Sequence, residues 1–275
     1  MNRLSNSWRL CRASWRVLSR DRELVAVPII AGIGALVIFL VVGTIGGLLL
    51  GSGDETGASD WSEWVVLALA TVAASWVVAI GQAAIVAGAA QRMDGYDPTV
   101  GSAFAVARTR MVRLLEWAVV ATAVPILIDQ LERRIGLAGR IVGWLGNVAF
   151  SVLSFLALPI IVFEDVGAVE AFKRSSSLLR QTWGEQVAFS FGIGLLGFLV
   201  AVPAVVLGGA VAASPLVVVQ VLGVAAAIAW IVLVAAVTSA LSAVFKTALY
   251  RYGRGLPVDR SFTDQDLAAA FRSRG

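Results

Sequence analysis

Residues 187–245 read VAFSFGIGLLGFLVAVPAVVLGGAVAASPLVVVQVLGVAAAIAWIVLVAAVTSALSAVF, and none of the 59 carries a charge. A bilayer core about 30 Å thick takes about 20 apolar residues as a helix, so the stretch is long enough to cross twice. Its one punctuation mark is Ser214-Pro215. Proline lacks an amide N–H and crowds the carbonyl four residues back, so a helix does not run cheaply through it. The stretch therefore predicts two spans, 187–213 and 217–245, joined by a tight hairpin.

Working outward, four more apolar runs meet the same length test: 24–50, 64–90, 141–163 and the shorter 114–128, which has room to begin a turn earlier. The chain is 59% hydrophobic and 15% charged, with mean hydropathy +0.85. Soluble domains run at about 45–50% apolar and about 25% charged, which this chain leaves well behind. The first run exceeds a signal-peptide core and no small-residue cleavage site follows it, so it reads as a retained span. The expected fold class is all-α: a polytopic membrane helix bundle of six transmembrane helices.

Charge placement sets the orientation. Six spans put both termini on one side, which collects Arg3, Arg9, Arg12, Arg16, Arg20 and Arg22, then Arg92, Arg108, Arg110 and Arg113. Lys173, Arg174, Arg180, Lys246, Arg251, Arg254, Arg260, Arg272 and Arg274 bring that side to 19 of the 22 basic residues. Only Arg133, Arg134 and Arg140 lie opposite, and the first opposite loop, GSGDETGASDWSE (51–63), has acids and no base. Lys and Arg resist translocation, so the expectation is a multi-pass protein of the cell (inner) membrane with cytoplasmic N- and C-termini.

The connections on that side share a design. Leu4, Trp8, Cys11, Trp15 and Leu18 recur at helical spacing, with Arg9, Arg12, Arg16 and Arg20 on another face. Val100, Phe104, Ala107, Met111 and Leu114 repeat the spacing behind Asp97-Pro98, a cap and first-turn proline. Val169, Phe172, Ser176, Leu179 and Trp183 repeat it again, with Glu170 and Arg174 as an i,i+4 pair. Such stripes suit helices lying in the headgroup region. Trp8, Arg9, Arg12, Trp15, Arg16, Phe104, Phe172 and Trp183 are the expected membrane-surface residues, with Phe172 and Leu179 entering the acyl boundary and Asp165 starting the third helix. The chain then reads as a pseudo-repeat of cytoplasmic amphipathic interfacial helix plus hairpin, three times, with QDLAAAFRSRG (265–275) as a weak fourth copy. Its expected parts are an N-terminal basic amphipathic helix (1–23), a six-span membrane domain (24–245) and a cytoplasmic C-terminal tail (246–275).

With no histidine and one cysteine, Cys11, the chain has no imidazole or paired-thiolate metal site, no His-assisted triad and no intrachain disulfide. No phosphate-cradling glycine loop or nucleophile elbow is present, and no cofactor is implied. The arginines are dispersed over membrane-proximal segments, where anionic lipid, not nucleic acid, is the nearer partner. Polar residues inside spans are the remaining candidates. Glu116, just inside the third span, is either a coupling carboxylate or a boundary acid that snorkels or pairs with Arg113. Glu164 and Glu185 bracket the third surface segment, and convergence of Glu116, Glu164 and Glu185 at one depth is the strongest site arrangement available. Gln82, like Asn147 and Gln220, serves either a polar solute or hydrogen bonds between helices. Pro28, Pro125, Pro159 and Pro203 fall once per span, not as the paired interruptions of a transporter.

Three stretches carry a resemblance: SWRLCRASWRVLSRDRELVAVPII (7–30), LPIIVFEDVGAVEAFKRSSSLLRQTWGE (158–185) and ALYRYGRGLPVDRSFTDQDLAAAF (248–271). The chain resembles a prokaryotic family of integral membrane proteins with a domain of unknown function, which implies a six-span domain and supplies no catalytic residues. In helix plan only, it is similar to the membrane domain of some glycerophosphodiester phosphodiesterases, without their soluble catalytic domain. The function expected first is a non-enzymatic lipid-associated scaffold or assembly factor, with anionic lipids and a membrane protein or a second copy as partners. The alternative is a small permease or channel with a polar path near Glu116, Gln82 and Glu185.

Overall fold

The structure, a computed structural model, describes residues 14–15, 23–50, 60–135, 137–182, 187–212 and 216–258. Among these residues it is all-helical, with no strand. The helices are α1 (Glu23–Leu50), α2 (Asp60–Met93), α3 (Val100–Arg108), α4 (Met111–Ile135), α5 (Leu137–Leu153), α6 (Ala157–Glu164), α7 (Ala168–Thr182), α8 (Val187–Ala212) and α9 (Val217–Gly253). Five helical segments are long and apolar enough to cross a membrane: Val25–Leu48, Glu63–Met93, Met111–Ile135, Gly139–Glu164 and Val217–Gly253. Gly197–Val211, within α8, is apolar but shorter. Large apolar side chains such as Leu40, Leu48, Leu127 and Val206 stand exposed on these helices. Hydrocarbon suits such surfaces, while each helix keeps its backbone bonds internal.

Two expected boundaries move. The third span begins one turn before residue 114, at Met111, and runs beyond 128 to Ile135. The last does not end at 245 but stays helical to Gly253, so the expected boundary at 245 falls inside a helix. At 1.5 Å per residue, α9 is about 55 Å long, well past an apolar core of about 30 Å.

The chain forms two compact units, one of residues 30–87 and 101–179, the other of 1–29, 88–100 and 180–275. In the first unit the span expected at 141–163 is broken, with α5 ending at Leu153 and α6 starting at Ala157. Pro159 explains the position. It cannot donate to the carbonyl of Phe155, and its ring crowds that carbonyl, so the chain yields one turn earlier. There the bonds tighten to i→i−3, Phe155 N–H to Val152 O at 3.1 Å and Ala157 N–H to Ser154 O at 3.0 Å. Leu156 N–H instead donates to Ser175 Oγ of α7 at 3.1 Å, both residues being buried. Every residue from Leu156 to Val162 is buried, which makes α6 the core of this unit.

In the second unit α8 and α9 pack along each other, and Trp230 Nε1 donates to Val200 O at 3.1 Å. Ser214-Pro215 itself lies outside the described residues. The same unit holds two matching helix ends. After Asp94, Gly95 at φ +87° lets Tyr96 N–H return to Gln91 O and its own N–H to Arg92 O. After Arg254, Gly255 at φ +68° repeats both bonds, Leu256 N–H to Arg251 O and Gly255 N–H to Tyr252 O. This double closure needs a left-handed residue, which glycine supplies without penalty. A bidentate pair ties the two ends, with Arg251 Nη1 3.1 Å from Asp94 Oδ2 and Nη2 on Oδ1. Arg251 Nε also donates to Pro257 O at 2.8 Å.

Candidate functional site

The polar residues of the first unit gather around the turn 165–167 between α6 and α7. Asp165 closes α6 in the left-handed conformation, φ 51° and ψ 41°. Its carboxylate lies 2.8 Å from Arg110 Nη1 and 4.0 Å from Arg113 Nε. Arg110 Nε donates to Val162 O at 3.3 Å, one of the last carbonyls of α6. Cations belong at that end of a helix, where carbonyls lack intrahelical partners.

Asp165 does not start α7, as the sequence reading expected. Gly167 opens that helix, accepting from Ala171 N–H at 2.9 Å. The acid at its N-terminus is Glu116, reaching from α4 so that Oε2 accepts from Ala168 N–H at 3.3 Å. A carboxylate is favoured there by the unpaired N–H groups and the helix dipole. Gly167 makes the approach feasible, because a Cβ on it would stand 2.7 Å from Glu116 Oε2. The other oxygen of Glu116 lies 2.8 Å from Arg113 Nη1, the i−3 pairing anticipated for a boundary acid. Both side chains are about 40% exposed, so the pair by itself is weak.

Glu164 answers a different arginine from Glu116. It pairs with Arg174 Nη1 at 2.6 Å and is only 13% exposed. Arg174 Nε also binds Glu170 at 2.7 Å, the anticipated i,i+4 pair. The hydrogen bond to Glu170, and then that to Glu164, raises the Arg174 guanidinium above its ordinary pKa. Glu116 and Glu164 thus flank one turn while each answers a different arginine. Glu185 lies outside the described residues. Among the described residues, no group of three or more His, Cys, Asp or Glu is placed to hold a metal ion.

The surface residues divide in the same way. Phe172 is partly buried and stacks on Phe150 of α5 at 5.8 Å, and Phe150 stacks on Trp117 of α4 at 6.4 Å. These are separations at which offset rings attract. Ala168, Ala171 and Ser175 complete the buried face of α7, leaving Val169 and Lys173 outward. On α3, Ala103 and Ala107 are buried, Phe104 is partly buried and Arg108 is exposed. Trp15 is helical and exposed. Trp8, Arg9, Arg12, Arg16 and Trp183 lie outside the described residues.

Gln82 sits elsewhere in this unit, on a cavity of about 310 Å³ between α2 and α4. Thr71 and Ser75 share its wall, and Ser75 Oγ accepts from Thr122 Oγ1 at 3.0 Å. Trp117, Phe39 and Leu158 supply the apolar side.

Sequence reasoning missed three features that hold this region together: Ser175 on Leu156, Gly167 beneath Glu116, and the Trp117–Phe150–Phe172 stack. Only the first had a signal, Pro159, which marks where a helix releases an N–H.

No curated protein and no solved structure matches the chain. The likeness to glycerophosphodiester phosphodiesterase membrane domains finds no support in these comparisons. One family does match, over residues 62–256, a stretch that takes in α3 to α9 and all the charge pairs described above. The chain belongs to that family, a family of unknown function designated DUF6159.

Proposed function

We propose that this protein is a non-enzymatic, lipid-associated scaffold or assembly factor of the cell membrane. In this reading six helices cross the bilayer, the five long apolar segments together with α8, and both termini face the cytoplasm. The charge asymmetry supports that orientation, with 19 of 22 basic residues on the side of the termini.

The observation that carries the reading is how the polar groups around residues 165–167 are engaged. Glu116 caps α7, Asp165 answers Arg110, and Glu164 answers Arg174. Each contact fixes a cytoplasmic helix on the bundle, and each acid is held by a partner in place of a substrate. What α7 and α3 then turn outward is Val169 with Lys173 and Ala105 with Arg108. Apolar and basic groups side by side suit the headgroups of anionic lipids, where each Lys or Arg near the surface contributes about 1 kcal/mol.

Native mass spectrometry of the detergent-extracted full chain tests this. The expected result is retained anionic phospholipid, most of it lost in the double variant Arg108→Ser, Lys173→Ser while the bundle stays intact. Equal retention of zwitterionic and anionic lipid by both proteins would remove the reading.

The permease alternative keeps one supporting observation, the cavity beside Gln82. Its polar path would not pass through Glu116, whose two oxygens are engaged by Arg113 and Ala168.

A further inference from the structure

The same cavity carries an inference that goes beyond the scaffold reading and does not depend on it. On α2, Thr71 and Gln82 each stand eleven residues from an end of the helix, Asp60 and Met93. That is about 16 Å from either end, so the cavity occupies the middle of the span. Its lining contains no charged residue. Its volume of about 310 Å³ lies at the small end of the ligand-pocket range, about 300–1,000 Å³.

The wall is chemically divided. Along α2 run Thr71, Ser75 and Gln82, close to helical spacing, while Phe39, Trp117 and Leu158 face them. Thr71 Oγ1 donates to Leu67 O at 2.7 Å and Ser75 Oγ accepts from Thr122, so Ser75 retains its own O–H to give. Gln82 adds two N–H donors and an oxygen. Its carboxamide makes no hydrogen bond among the described residues. Polar groups at that depth are costly when they lack partners.

A molecule that fits must be free of charge, because the lining offers no charged partner and an unpaired charge inside a membrane is costly. It must accept one or two hydrogen bonds and offer a flat apolar face to Trp117 and Phe39. A phospholipid head accepts hydrogen bonds, but it is charged and has no flat apolar face, so it fails the other two conditions. A lipid-soluble carbonyl compound meets all three. We infer that the Thr71–Ser75–Gln82 cavity is a binding site, reached through the lipid phase, for an uncharged carbonyl-bearing hydrophobic molecule of the quinone type.

The test is photolabelling of the full chain in vesicles with an azido-substituted benzoquinone carrying a decyl tail. Labelling should saturate, be competed by unlabelled decylbenzoquinone, and map to peptides containing 71–82 or 117–121. Gln82→Leu should weaken competition about fivefold, the loss of one hydrogen bond. Ala121→Trp, which fills the cavity, should abolish labelling, while Leu69→Trp on the exposed side of α2 should not. Should Ala121→Trp fail to fold, Ala74→Leu makes the same test with a smaller side chain. Label spread over the outward helix faces, or indifference to the filling variants in protein that remains monodisperse, overturns the inference. So does reaction of a membrane-impermeant maleimide with Gln82→Cys in a Cys11→Ser background, which would make the cavity aqueous.

Discussion

The contact between Gly167 and Glu116 makes a prediction with a worked size. Gly167 carries no positive φ, so alanine is permitted by its backbone. The added Cβ would stand 2.7 Å from Glu116 Oε2, the far end of a flexible side chain. The carboxylate therefore moves away at little strain, and what is lost is the cap on Ala168 N–H. A helix cap contributes about 1 kcal/mol. Replacing glycine also narrows the unfolded ensemble, which stabilises by about 0.4–1 kcal/mol. Gly167→Ala should thus be neutral to destabilising by about 0.6 kcal/mol in the natural background. With Glu116→Ala already in place there is no cap to lose, and only the second effect remains. Any intrinsic preference for glycine at the cap is common to both backgrounds and cancels. The double-mutant cycle should return a coupling of about 1 kcal/mol. Unfolding of the four proteins in one detergent, together with hydrogen exchange of the first turn of α7, measures it. Additive effects, with equal exchange in Gly167→Ala and the natural protein, would refute the assignment of Glu116 as the cap.

Four further outcomes follow from other contacts in the two units. Ser175→Ala leaves Leu156 N–H buried without an acceptor and should cost about 1–3 kcal/mol, with faster exchange at that amide; unchanged exchange would contradict the bond. Pro159→Ala restores a donor to the ladder, so infrared or exchange measurements should find residues 153–157 more helical while α7 loses protection. Asp94→Ala strips a guanidinium that is 8% exposed of its bidentate partner; since Asp94 is itself 44% exposed, the loss should be about 1–3 kcal/mol, below that of a fully buried pair. Arg251→Lys, lacking the planar fork, should recover only part of it in the same unfolding assay.

What the sequence made legible follows from locality. Apolar runs report on a helix that satisfies its own backbone, so the long apolar helices were readable from composition, and so were Arg113–Glu116 and Glu170–Arg174, set by helical spacing alone. Contacts between distant segments were not. Asp94 and Arg251 are 157 residues apart, and nothing in either neighbourhood names the other. Asp165 looked like a cap because acids favour helix N-termini. The left-handed turn it adopts instead gave that place to Glu116, which lies 52 residues before the Ala168 it caps. Phe172 lay on an amphipathic stripe that reads identically whether it faces lipid or protein, and its stack on Phe150, 22 residues earlier, could not be read from that stripe. Pro159 was the one legible sign of the broken span. Its consequence, an amide handed to Ser175, required the fold.

The proposed orientation of the crossings underlies the scaffold reading, and cysteine labelling from either side of the membrane tests it most directly. In a Cys11→Ser background, single cysteines at Lys173, Arg133 and Gly275 would be exposed to an impermeant maleimide in intact and in opened cells. The account predicts that Arg133→Cys reacts in intact cells, while Lys173→Cys and Gly275→Cys react only after opening. Labelling of Lys173→Cys from outside, or of Arg133→Cys and Lys173→Cys from the same side, would contradict it.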